Sequence, residues 1–144
     1  MIKHFFIAVL FLGLGYTGFA KTETDTITTW QLYKDAALIL KNNSADKTIT
    51  LKIKASDTFK ALKLTISSDT PTRNVRRKLM FKIDGKLIFS LVQELRSGSD
   101  PIIITNAELK RIIGPGLNKT FTVEYTDDTT TRGTTLYKLM VTDK

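Results

Sequence analysis

The chain has no cysteine, three prolines, one tryptophan and one histidine in 144 residues. Each scarcity removes a class of mechanism. Without cysteine no disulfide can cross-link the fold, so apolar burial must hold it together, and no thiol nucleophile exists. The one histidine, His4, sits at the head of an apolar leader. Once the leader is gone, neither a Ser-His-Asp nor a Cys-His site can be built. Zinc, which draws its ligands mostly from Cys and His, finds none. An enzyme here would be confined to carboxylates, Lys, Arg, Tyr and Ser. No catalytic residue, metal ligand or cofactor motif is predicted.

Long apolar runs are also scarce. The one candidate, residues 5–14, follows Lys3 and His4 and gives way to Gly15-Tyr16-Thr17-Gly18-Phe19-Ala20. A positive start, ~7–15 apolar residues and small side chains at −3 and −1 define a secretory signal peptide. Gly18 and Ala20 supply those small residues for a cut before Lys21. The run falls short of the ~20 residues that a membrane span needs, and a lipoprotein would need a cysteine at the cut. The expectation is a signal peptide over 1–20 and a single secreted or periplasmic domain over 21–144, with no transmembrane span in the mature chain. Basic residues number 22 and acidic residues 14. Losing Lys3 with the leader leaves 21 against 14, a net charge of +7. That excess attracts anionic partners and says nothing about fold.

What remains is rich in Thr, Val, Ile and Leu at period 2, the signature of half-buried strands. Trp30 and Leu32 share a face of a strand at 27–33. Ala36, Leu38 and Leu40 share one at 36–41, after a Lys34-Asp35 turn. Ile49, Leu51 and Ile53 alternate with Thr48, Thr50, Lys52 and Lys54, and Leu62, Leu64 and Ile66 alternate with Lys63 and Thr65. Residues 68–77 read as a loop. Residues 77–92 read as a hairpin around Asp84-Gly85. A two-residue turn would set Phe81 opposite Ile88 and split the apolar set. A three-residue Ile83-Asp84-Gly85 loop with a bulge at Gly85 places Leu79, Phe81, Leu87, Phe89 and Leu91 on one face. A loop at 97–101 leads to a short strand at 102–104.

One helix is signalled, near 106–113. Thr105 and Glu108 form a capping box, and Ile104 with Leu109 a hydrophobic staple. Leu109, Ile112 and Ile113 make the apolar stripe, and Gly114-Pro115 ends it. Strands at 119–126 (Phe121, Val123, Tyr125) and 134–142 (Tyr137, Leu139, Val141) complete the chain. Eight or nine short strands with turns every 8–12 residues imply an all-β fold, an antiparallel Ig-like β-sandwich.

The densest charge cluster is Arg73, Arg76, Arg77 and Lys78. Arginine forks match phosphate, sulfate or carboxylate, so these four are the candidate ligand-binding residues. The partner class is a protein or an anionic glycan or lipid; a solvated loop accounts for the same composition. Nucleic acid is not expected, because no aromatic residue lies between Pro71 and Met80 to stack on bases. Glu124, Asp127 and Asp128 are the one carboxylate grouping, equally readable as turn formers. Aromatic residues fall mostly on the inward face; only Tyr33 points out. Asn42-Asn43-Ser44 and Asn118-Lys119-Thr120 match the N-glycosylation pattern. The functional expectation is an exported, non-enzymatic binding module. The alternatives are a small carboxylate-dependent glycan hydrolase and a structural subunit of an envelope assembly.

Overall fold

The computed structural model describes residues 29–43, 45–67, 73–97, 100–128 and 133–143; the leader reading for 1–20 lies outside the described residues. Nine strands are described. They are β1 (Thr29–Lys34), β2 (Ala37–Asn43), β3 (Ile49–Lys54), β4 (Ala61–Ser67), β5 (Arg73–Ile83), β6 (Lys86–Ser97), β7 (Ile102–Thr105), β8 (Thr120–Asp127) and β9 (Thr134–Thr142). A helix α1 (Asn106–Ile113) and a 3-10 turn (Gly114–Gly116) follow β7. The strands form a four-stranded sheet in the order β2-β1-β4-β7 and a five-stranded sheet in the order β3-β9-β8-β5-β6. Every pairing is antiparallel except β3 with β9, which run parallel from Ile49↔Tyr137 to Lys54↔Thr142. That one pair corrects the all-antiparallel expectation.

The two sheets share one apolar cluster. Trp30, Leu32, Leu62, Leu64 and Ile66 come from the first sheet, and Leu79, Phe81, Phe121, Val123, Tyr137 and Leu139 from the second. The Trp30 and Tyr137 rings bridge the sheets at 5.5 Å between centroids. Helix α1 buries Leu109 and Ile112 against this core. Both halves of its capping box form: Glu108 N–H donates to Thr105 Oγ1, and Thr105 N–H donates to Glu108 Oε2 at 2.8 Å. The helix does not stop on a left-handed glycine. Gly114 is right-handed (φ −45°) and the chain tightens into the 3-10 turn.

Alternation places most side chains, and three bulges displace the rest. Leu32 pairs with Leu40 but Tyr33 with Leu38, so Ile39 is an extra residue in β2. Ile88 is extra in β6, and Leu136 in β9. Each extra residue is apolar and packs on or within the core. The bulge at Ile39 moves Leu38 to the face of Tyr33, where it is 51% exposed, so Leu38 and Leu40 do not share a face.

The β5–β6 turn departs from the expected three-residue loop in the same way. Ile83 pairs with Lys86, and Asp84 (φ 49°) and Gly85 (φ 77°) form a two-residue turn with positive φ at both positions, the requirement of type I′. Phe81 nevertheless faces Phe89, because the bulge at Ile88 restores the register that the short turn would have lost. Leu87 pairs with Lys82 and is 47% exposed, off the inner face on which alternation had placed it.

Candidate functional site

Strand β5 runs through the middle of the basic cluster. The expected loop at 68–77 gives way to a strand from Arg73 onward, because neighbours on both sides pair with it. Arg76 faces Glu94, Arg77 lies between Gln93 and Asp127, and Lys78 lies between Val92 and Thr126. Strand geometry then sends successive side chains to opposite faces. Arg76 and Lys78 stand on the outer face of the five-stranded sheet. Arg77 turns inward and is 2% exposed, on the same side as Val75, Leu79 and Phe81. Its Cζ sits 5.7 Å from the centroid of the Tyr125 ring. Arg73 begins the strand opposite Ser97.

The neighbours of Arg77 are themselves tied together. Tyr125, 4% exposed, donates its hydroxyl to Asp127 Oδ2. Burial, reinforced by that carboxylate, holds the phenol above its ordinary value, against the opposing pull of Arg77. A buried guanidinium stacked on a ring and set beside a carboxylate-bonded phenol is a packing device under the sheet, not a surface contact.

Above it, on the outer face, two shallow depressions adjoin. One, of about 490 Å³, is lined by Asn74, Arg76, Glu94, Leu95, Arg96 and Asp128. The other, of about 280 Å³, shares Arg76 and Asp128 and adds Lys78, Val92, Thr126 and Asp127. They are held together across strands by Arg76 N–H, which donates to Asp128 Oδ2 at 3.0 Å. Asn74 enters this region with φ 53°, a left-handed residue inside a strand, of the kind that collects at functional sites. Among the described residues, Arg76, Lys78 and Arg96 make no ion pair.

The fold therefore joins parts of two clusters that the sequence keeps fifty residues apart, Arg76 and Lys78 with Asp127 and Asp128. It separates Glu124 from them. Glu124 lies four residues before Asp128 on the same strand face, about 13 Å away at the rise of a strand, and accepts an ion pair from Lys82 Nζ at 2.6 Å. A hydrolytic carboxyl pair spans ~5–9.5 Å. Asn74, Glu94 and Arg96 were not legible as site residues. The inward turn of Arg77 corrects its expected place among the ligand-binding cations, because pairing with β6 and β8 extends the period-2 face of Leu79 and Phe81 back through it.

Among the described residues no group of three His, Cys, Asp or Glu side chains could hold a metal, and no helix is long and apolar enough to cross a membrane. Of the two glycosylation patterns, Asn42 is buried and donates to Lys47 O, and Asn118 donates to Asp143 Oδ2. No family model matches the chain, and no curated protein matches it.

Proposed function

We propose that this is an exported, non-enzymatic binding module that takes an anionic group in the depression beside Arg76, Lys78 and Arg96. The observation that carries the reading is the set of three cations, free of ion pairs among the described residues, around a concave patch whose backbone at Asn74 is left-handed. Glu94 and Asp128 line the same depression. Its ligand accordingly bears hydroxyl or ammonium donors as well as an anion, as an acidic sugar or a phosphoethanolamine group does. Arginine forks supply the bidentate contacts to the anion, and the carboxylates accept from the donors.

The scaffold is read as immunoglobulin-like. Strands β5, β6, β8 and β9 share one sheet while β4 and β7 lie in the other, which is the partition of such sandwiches. The Lys3 start, the apolar run at 5–14 and the small residues at Gly18 and Ala20 support removal of residues 1–20 and delivery to the periplasm or beyond. Two measurements test this. The exported protein should have an intact mass that begins at Lys21. Calorimetric titration with phosphoethanolamine should give saturable, salt-sensitive heat in wild type and none in Arg76→Gln/Arg96→Gln. Equal binding by the double variant would end the assignment of the depression.

A further inference from the structure

We propose that the whole outer face of the five-stranded sheet, and not the depression alone, docks on an anionic phospholipid surface. This inference rests on the anion-binding reading above and extends it to a partner.

Three observations carry it. The first is the placement of charge. The outer face bears Arg76, Lys78 and Lys82 from β5, Arg96 from β6, Lys138 from β9, and Lys52 and Lys54 from β3. The outer face of the four-stranded sheet bears Lys41 and Lys63. Among the described residues three acids interrupt the seven cations of the larger face, namely Glu94, Glu124 and Asp128, and one of them, Glu124, is consumed by Lys82. Five strands at about 4.8 Å spacing spread these charges over roughly 19 Å, whereas the two depressions are lined from β5, β6 and the end of β8 alone. A small soluble anion can touch only one end of such an array. A sheet of anionic headgroups can meet all of it.

The second observation is apolar. Leu87 is 47% exposed and Val92 41% exposed, and both stand among those cations, opposite Lys82 and Lys78. Aliphatic side chains ringed by Lys and Arg suit a headgroup–acyl boundary, where part of the apolar surface leaves water. They add nothing to contact with a hydrophilic polymer.

The third is the placement of the rings. Trp30, Phe81, Phe121, Tyr125 and Tyr137 are buried, and Tyr33 belongs to the other sheet. Among the described residues this face offers no exposed ring on which a sugar or a base could stack. A lipid surface needs none.

The test is flotation of the purified protein with vesicles of phosphatidylcholine alone and of phosphatidylcholine carrying phosphatidylglycerol, with dextran sulfate beads as a lipid-free anionic polymer. Every variant carries the wild-type N-terminus, and each is first matched to wild type by circular dichroism and melting temperature. Wild type should float with the phosphatidylglycerol vesicles, be released by salt, and ignore phosphatidylcholine. Lys52→Gln/Lys54→Gln/Lys138→Gln, remote from the depression, should weaken vesicle binding about fivefold per lysine, the worth of ~1 kcal/mol per surface cation. Leu87→Gln/Val92→Gln should weaken vesicle binding roughly tenfold and leave dextran sulfate binding unchanged. Vesicle binding unaltered by both variants, or no vesicle binding at all, overturns the proposal. Should phosphoethanolamine binding persist in that case, the depression stands and only the membrane surface falls. Equal loss of vesicle and bead binding in Leu87→Gln/Val92→Gln would point to an acidic polymer instead and would also overturn it.

Discussion

Tyr137 offers a sharp test of how the core is held. Its ring is fully buried against Trp30, and among the described residues neither the Tyr137 hydroxyl nor the Trp30 indole N–H has a hydrogen-bond partner. A buried polar group left unpaired costs about 1–3 kcal/mol. Tyr137→Phe removes that burden and keeps the ring. The void left by one oxygen, at about 24 cal/mol per Å³, returns only a few tenths of a kcal/mol. The variant should therefore be more stable than wild type by about 1 kcal/mol, or about 4 °C in melting temperature for a chain of this size. Tyr125→Phe makes the same chemical deletion in the opposite setting. It strips a hydrogen bond from the Asp127 carboxylate, and bonds to charged groups are worth about 1.5–3 kcal/mol, so it should destabilise.

Urea unfolding at neutral pH reads both, and alkaline unfolding adds an independent check. Burial pushes both phenols above the ordinary 10.0, with the Asp127 contact assisting at Tyr125. The unfolded chain releases these protons near pH 10 while the folded chain keeps them. The contribution of each is thus complete below pH 10 and falls above it, by about 1.4 kcal/mol per pH unit per tyrosine. Tyr137→Phe should lose one such increment of slope. A destabilised Tyr137→Phe with unchanged alkaline slope would mean that the phenol is hydrogen-bonded or reaches solvent, and would overturn its assignment as a buried unpaired hydroxyl.

Five further substitutions probe the fold elsewhere. Gly116→Ala would drive a Cβ to within 2.0 Å of the Phe121 ring and should cost about 1–3 kcal/mol by overpacking, whereas Gly114→Ala, with nothing within 4 Å, should be tolerated; thermal melts compare the two. Asp35 accepts from the Ala61 and Lys60 N–H groups, which lower its pKa below 3.8. The stabilisation is present above the unfolded value and lost as pH falls through the folded one, so Asp35→Ala should flatten the stability profile below about pH 4. Gln93 bonds both the N–H and the C=O of Ile103 on the edge strand β7, at 3.1 and 2.8 Å; Gln93→Ala should cost about 1–2 kcal/mol and speed amide exchange at Ile103. Thr105→Ala, which removes the helix cap, should lower stability by about 1 kcal/mol in urea.

Most strand positions were legible because alternation is a local property of the chain. Ile49, Leu51 and Ile53, or Phe121, Val123 and Tyr125, declare their face without reference to any partner. The bulges were not, because a bulge is a property of a pair. Nothing within β6 alone marks Ile88 as the extra residue. Only the conflict between a two-residue Asp84-Gly85 turn and the burial of both Phe81 and Phe89 demands it, and the conflict can equally be relieved by a longer turn. The parallel β3–β9 pairing is likewise invisible locally, since it joins residues nearly ninety positions apart. The helix was fully legible down to its cap, because Thr105, Glu108, Ile104 and Leu109 all act within one turn.

The candidate site shows the same division at the scale of charge. Arg76-Arg77-Lys78 is a block of three cations by composition, which favours a solvated loop. Once β6 and β8 flank the segment, period 2 overrules composition. Two of the cations go to the outer face and the third, Arg77, goes under the sheet, where the Tyr125 ring receives its guanidinium. Burying that charge is tolerable only because β8 also brings Asp127 opposite it, and the same strand turn brings Asp128 to Arg76 on the other side. One dipeptide, Asp127-Asp128, thus serves both faces of β5, so the inner packing and the outer depression cannot be altered independently along the backbone. An insertion of one residue before Asp127 would exchange the two carboxylates between faces, leaving Arg77 with the wrong neighbour, and would damage the core before it damaged the site.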